Sequence, residues 1–208
     1  MGTLFGISGE SRTNTCLIVG LLLFNVLSFG QDKAQFETFR QVQKKSDSFY
    51  NVQRFDSAYA YARQNYDALG KNTHDSVQTE ALIQLVKITD AIKQQEQQGY
   101  FNLAEKKALA LNRPTQLIDL YFTKGETLYE KQDFATALPY FLKIDSLSKN
   151  LGIINPTTIN SLLRRAETAK LSFTYETTNM AHALLFEALA MAKAIKAVEG
   201  EHLTYIQL

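Results

Sequence analysis

Two short apolar stripes joined by a polar turn constrain this chain more than any other feature. They lie in Tyr121–Ile144, YFTKGETLYEKQDFATALPYFLKI. Tyr121, Gly125 and Leu128 fall on one face at helical spacing. Glu130, Lys131, Gln132 and Asp133 then break the periodicity. Asp133 is placed to cap a second helix by accepting from a backbone N–H two or three residues on. That helix carries Phe134, Ala137, Leu138, Phe141 and Ile144 on one face. Gly125 has no side chain, so a neighbouring helix can approach closely there. Pro139 removes one backbone donor early in the second helix, which implies a slight bend or a start nearer Ala135.

Looser copies of this unit recur along the chain. An early pair spans about Asp32 to Leu69. Phe36, Phe39, Val42 and Phe49 lie on its first helix, and Ala58, Tyr61, Ala62 and Tyr66 on its second, with Asp56 as cap and Gly70 as terminator. A second pair begins near Ser76. Its first helix carries Val77, Ala81, Gln84 or Leu85, Ile88 and Ile92, widened by Leu82 and Val86, so burial on two sides is expected. Lys93–Gly99, KQQEQQG, reads as a solvated helix end and turn. Phe101, Ala104, Ala108 and Leu111 follow, and Asn112 and Pro114 stop that helix and start the next. A last pair opens at Asn155 and Pro156, a cap followed by a proline at the first helical position. It carries Ile159, Leu162, Leu163, Ala166, Ala169 and Phe173, then Ala181, Leu184, Leu185, Ala188, Leu189, Ala192 and Ile195. Sparse Pro and Gly, placed mostly between these segments, argue for an all-α chain.

The residues of Tyr121–Ile144 resemble the tetratricopeptide repeat (TPR), whose pattern is W-x2-L-G-x2-Y, then A-x3-F, then P, over about 34 residues. Tyr121 stands at the Trp position, Gly125 at the Gly, Leu128 at the Tyr, Ala137 at the Ala and Phe141 at the Phe. Lys124 departs from the usual Leu, Ile144 from a small residue and Lys149 from Pro. Ala58, Ala104 and Ala181 are the corresponding small residues of the other units, with Ala188 a further one. The four alanines at the repeat's Ala position are 46, 33 and 44 residues apart, and only the middle spacing is the family's own. The resemblance implies a right-handed α-solenoid of antiparallel helix pairs, about four in number, over residues 31–200.

At the N-terminus, Cys16–Phe29 is apolar and uncharged. It is shorter than the roughly 20 residues of a spanning helix and matches the apolar core of a secretory signal. Ser28 and Gly30 are the small residues of a cut before Gln31. Residues 1–30 are therefore expected to be a signal peptide, with an uncleaved membrane anchor as the alternative. Export to the periplasm or a membrane follows. Cys16 begins the apolar run rather than following it, so it is not placed as a lipid-bearing cysteine. As the single cysteine, it leaves the rest of the chain without a disulfide. Residues 201–208 look like the opening of another first helix through Leu203, Ile206 and Gln207, as in a longer protein cut short.

The chain's net charge of +1 gives no basic footprint for nucleic acid. His74, His182 and His202 have no second His or Cys at ligand spacing, and no phosphate-binding, dinucleotide or hydrolase motif occurs. No enzyme, cofactor or metal is expected. The resemblance implies instead a concave groove lined by first helices, where peptides or partner helices bind. On that analogy Asn51, Lys124, Arg164 and Arg165, with Tyr121, fall at groove or rim positions; each has the plain alternative of an exposed helix side chain. The leading expectation is an exported, non-enzymatic scaffold for a protein or peptide. In organisation the chain is also similar to the exported N-terminal TPR regions of Bacteroidota sensor kinases and regulators. That similarity implies the alternative of a sensor region whose output domain lies elsewhere. Membrane contact is expected only through the N-terminal segment or a C-terminal helix beyond these residues.

Overall fold

A computed structural model describes residues 36–69, 75–92, 94–171, 175–196 and 204. Among the described residues the chain is all-helical, with eight helices and no strand. The first, α1, covers 36–51. The others are α2 (Phe55–Ala68), α3 (Asp75–Ile92), α4 (Gln94–Ala110), α5 (Pro114–Glu130), α6 (Phe134–Leu151), α7 (Pro156–Lys170) and α8 (Tyr175–Ala194). The expectations for residues 1–30, Gly70, His74, Lys93, Phe173, Gly200, His202, Leu203, Ile206 and Gln207 lie outside the described residues.

The helix boundaries follow local chemistry. Asp133 caps α6, its side chain accepting from the Thr136 N–H. Asn155 caps α7 in a reciprocal arrangement. Its Oδ1 accepts from the Thr158 N–H at 2.9 Å, and the Thr158 hydroxyl accepts from the Asn155 N–H at 3.0 Å. Pro114 and Pro156 each open a helix, where a missing N–H costs least. Gly152 ends α6 at φ 65°, a left-handed backbone that glycine adopts freely. Two boundaries differ from expectation. Asp56 is not a cap: α2 already begins at Phe55, which puts Asp56 in the first turn, where its charge complements the helix dipole. And α4 begins at Gln94, so most of the run expected to be a solvated turn is helix. α6 begins at Phe134 and carries Pro139 inside it, on an exposed face.

Three tight turns are built alike. After α1, α4 and α5, the residues Gln53, Asn112 and Gln132 take positive φ, and the following residue donates back across the turn: Arg54 N–H to the Phe49 carbonyl, Arg113 to Ala108 and Asp133 to Leu128. These are the bonds that satisfy orphan carbonyls at a helix end. Each turn sends the chain straight into the next helix.

Packing is between consecutive helices and between helices two apart. α3 lies against α4, α5 against α6 and α7 against α8. α3 also touches α2 and α5, and α5 also touches α4 and α7. The core is divided accordingly. One cluster joins Leu82 and Val86 to Phe101, Ile118, Ala137, Phe141 and Ile144. Another holds α7 to α8 through Ile159, Leu163, Ala166, Ala181, Leu185 and Ala188. Two smaller ones group Phe39 with Leu69 and Ala81, and Ala58 and Ala62 with Leu85 and Ile88. α1 is tied to α2 by buried polar bonds, Ser46 Oγ to the Ala58 carbonyl at 2.8 Å and Asn65 Nδ2 to the Phe39 carbonyl at 3.2 Å.

Spacing along the chain is more regular than the alanines suggest. α2, α4, α6 and α8 begin 39, 40 and 41 residues apart. Ala58 is the fourth residue of α2 and Ala137 the fourth of α6, whereas Ala104 is the eleventh of α4 and Ala181 the seventh of α8. All four are fully buried, but on different turns of their helices. The residue level with Ala58 and Ala137 in α4 is Gln97, a buried polar side chain that no apolar pattern reveals.

Candidate functional site

Most of the motif residues of Tyr121–Ile144 belong to one buried cluster. Tyr121 is buried, its ring among those of Phe101 and Tyr140, and its hydroxyl donates to Glu105 Oε1 at 2.8 Å. Burial and the Glu105 carboxylate hold that phenol well above its ordinary range. Gly125 faces the Phe141 ring so closely that a Cβ there would stand 2.7 Å from Cε1. Ala137 and Phe141 are fully buried, and Leu128 packs against the same cluster. Ala188 is fully buried in the α7–α8 cluster.

Lys124, at the position where the repeat has Leu, turns toward the α3–α4 junction. Its Nζ donates to Gln97 Oε1. Gln97 Nε2 in turn donates to the Val86 carbonyl at 3.2 Å and to Asp90 Oδ1 at 3.0 Å, and Lys131 pairs with the same Asp90 oxygen at 2.8 Å. Burial lowers the pKa of Lys124, partly offset by Asp90. Asn51 is exposed at the end of α1. Arg164 and Arg165 are adjacent on α7 but reach different helices. Arg164 grips Glu126 of α5 with two nitrogens, Nε at 2.9 Å from Oε2, and also pairs with Glu167 at 2.9 Å. Its guanidinium lies 4.7 Å from the Tyr129 ring centre. Tyr129 donates to Glu167 at 3.0 Å, and burial followed by that bond pushes its phenol up to about 12. Arg165 pairs with Asp145 of α6 at 3.0 Å.

An open groove of about 580 Å³ runs between α1, α3 and α5. Its wall includes Arg40 and Asp47 of α1, Glu80 and Gln84 of α3, and Gln116 and Asp119 of α5. A second hollow of about 310 Å³ adjoins it toward the C-terminal ends of the same helices, with Tyr50, Phe122, Glu126 and Glu130 in its wall. Lys87 and Thr123 belong to both. Glu126 connects this wall to Arg164; Asn51, Lys124 and Arg165 stand outside it.

Polar bonds hold the floor at a separation close to the helix period. Arg40 pairs with Glu80 at 3.2 Å, Gln84 donates to Asp47 at 3.2 Å, and Gln116 donates to the Ser76 carbonyl at 2.8 Å. Thr157 of α7 donates to Asp119 Oδ1 at 2.9 Å. Asp119 touches solvent at the rim, yet surrounding protein pushes its carboxyl above the ordinary range, Thr157 opposing. Burial does the same to Glu80, with Arg40 opposing and the Asp119 charge adding. The Lys87 ammonium sits 4.3 Å from the Tyr50 ring centre, and burial, then Glu130 and Asp90, raises the Tyr50 phenol. This wall has few apolar side chains and mixed charge, a surface suited to polar recognition.

The groove residues carry one signal that the sequence shows. Gln84 interrupts the apolar stripe of α3, and a polar residue inside such a stripe is either bonded or exposed in a cleft. A further hollow of about 230 Å³ between α6, α7 and α8 is lined by Ile153, Ile154, Leu162 and Met191 among others. His182 is exposed on α8. Among the described residues, no group of three or more His, Cys, Asp or Glu could hold a metal ion, and no helix is long and apolar enough to cross a membrane. No protein-family model, no curated protein and no solved structure matches the chain.

Proposed function

We propose that this chain is an exported scaffold, a right-handed α-solenoid of four TPR-like helix pairs, that binds a protein or peptide along the groove of α1, α3 and α5 and performs no chemistry of its own. One observation carries the reading: the groove wall comes from successive first helices, joined to one another at nearly the helix period. A surface assembled that way extends along the chain axis, as a linear partner requires. The TPR-like reading is supported by the Gly125–Phe141 contact and by the burial of Tyr121 and Ala137 at the motif positions. The export reading is supported by the uncharged apolar run Cys16–Phe29.

The test is site-directed photocrosslinking in cells that make the chain. A crosslinker at Thr123, in the groove, should capture a discrete partner. The same group at Lys106, exposed on α4, should not. Equal capture at both sites, or none at Thr123, would remove the groove as the binding surface.

A further inference from the structure

Toward the C-terminal ends of its helices the groove wall changes from polar to aromatic. The hollow of about 310 Å³ there is bounded by the rings of Tyr50 and Phe122 and by the Lys87 side chain, and it meets the groove at Lys87 and Thr123. Both rings are partly exposed. Phe122 is the one apolar side chain among the α5 residues that line groove and hollow. Its ring reaches the core, with its centre 6.1 Å from that of Phe141, and also borders the hollow.

The polar groups around these rings are already engaged. The Thr123 hydroxyl donates to the Asp119 carbonyl at 2.8 Å and the Thr127 hydroxyl to the Lys124 carbonyl at 3.0 Å. Neither threonine has a proton left to donate. Both carboxylate oxygens of Glu126 accept from Arg164, whose Nε lies 3.1 Å from Oε1 and 2.9 Å from Oε2. The Lys87 ammonium lies over the Tyr50 ring, 4.3 Å from its centre. A basic side chain entering the hollow would meet Lys87, and an acidic one would meet Glu126 and, at the exposed mouth, Glu130. Burying either charge there without a partner is unfavourable. An apolar side chain faces no such cost and removes the two rings from water.

We propose that this hollow takes one aromatic side chain of the peptide bound in the groove, seated between Tyr50 and Phe122. Its volume lies at the lower end of small-ligand pockets, which gives room for one large side chain rather than for a folded segment. A ring suits it better than an aliphatic chain, because paired rings gain from edge and offset contacts beyond the area they cover. The polar groove beyond Thr123 then carries the flanking peptide. The assignment rests on the groove being a peptide site.

The test selects binders of the full chain from a displayed library of random nonapeptides. Each selected peptide is then made with a fluorescein label, and its binding is followed by fluorescence anisotropy. The selected sequences should share a Phe, Tyr or Trp at one position. Replacing that residue by serine should weaken binding at least about tenfold. Thr123→Phe narrows the hollow from its partly exposed edge, so the thermal melt should stay in place while the aromatic peptide and its serine version bind alike. Tyr50→Ala removes one wall and should shrink the same preference, and its melt reports separately whether α1 still packs. Selected peptides that share no aromatic residue, or that bind equally well with serine in its place, would overturn the proposal and leave peptide binding standing. So would an aromatic preference that survives both substitutions undiminished. If the selection yields no binder, both fall.

Discussion

Gly125 is where a single residue fixes how two helices meet. Its missing Cβ lets the Phe141 ring of α6 lie against the α5 backbone; a methyl group there would stand 2.7 Å from the ring, closer than carbon atoms pack. The ring is fully buried. Gly125→Ala should therefore destabilise the fold by about 1–2 kcal/mol, overpacking outweighing the better helix propensity of alanine. That corresponds to a fall of roughly 2–8 °C in the thermal midpoint. Adding Phe141→Leu should return part of the loss, because the smaller side chain makes room. The opposite sign is expected at Gln132, exposed with φ 62°. Gln132→Gly should stabilise by about 1 kcal/mol in a denaturant melt, relieving a left-handed backbone. Asn112, at φ 50° in the equivalent turn, should gain less, since asparagine accepts that conformation more readily.

Gly125 was legible in the sequence because a glycine inside an apolar stripe has few other uses. Lys124 was not. Its partner, Gln97, lies in a run of glutamines that looks like solvated turn. Nothing in that run distinguishes the one side chain that α4 turns inward from those it leaves outside.

At the scale of elements, caps and prolines were the readable signals. Asn155–Pro156 and Pro114 mark helix starts where they were expected, because each signal acts within one turn of backbone. Asn155→Ala should cost about 1 kcal/mol and loosen the first turn of α7, seen as faster amide exchange at Thr158 and Ile159. Exchange elsewhere should change only through the global stability. The spacing of the helices was harder to read. Alanines at 46, 33 and 44 residues suggest an irregular array, whereas the helices begin at nearly even intervals of 39 to 41. The difference arises because a buried alanine serves at any inward turn of a helix, so small residues alone do not fix how one helix lines up with another. Hydrogen-bonded pairs such as Gln116–Ser76 and Arg164–Glu126 do fix it, and they join residues that no local pattern connects.

For the whole molecule, the division of the core matters most. Ile159 through Ala192 form one cluster and Leu82 through Ile144 another, each made by helices near in sequence. The groove has the same origin: α1, α3 and α5 lie side by side and leave their polar faces open between them. That arrangement was expected only in outline, since the groove residues Glu80, Gln116 and Asp119 look like ordinary surface in the sequence. The most direct measurement is a set of electron-spin distances between labels on exposed positions in the C-terminal halves of α2, α4, α6 and α8. Ala68, Lys106, Ser146 and Phe186 supply them, with Cys16 replaced by serine. A linear array predicts distances from Ala68 that grow by roughly 10 Å with each pair, so that the α2–α8 distance is the longest. An α2–α8 distance as short as α2–α4 would show the helices closed into a bundle, and would contradict both the array and its groove.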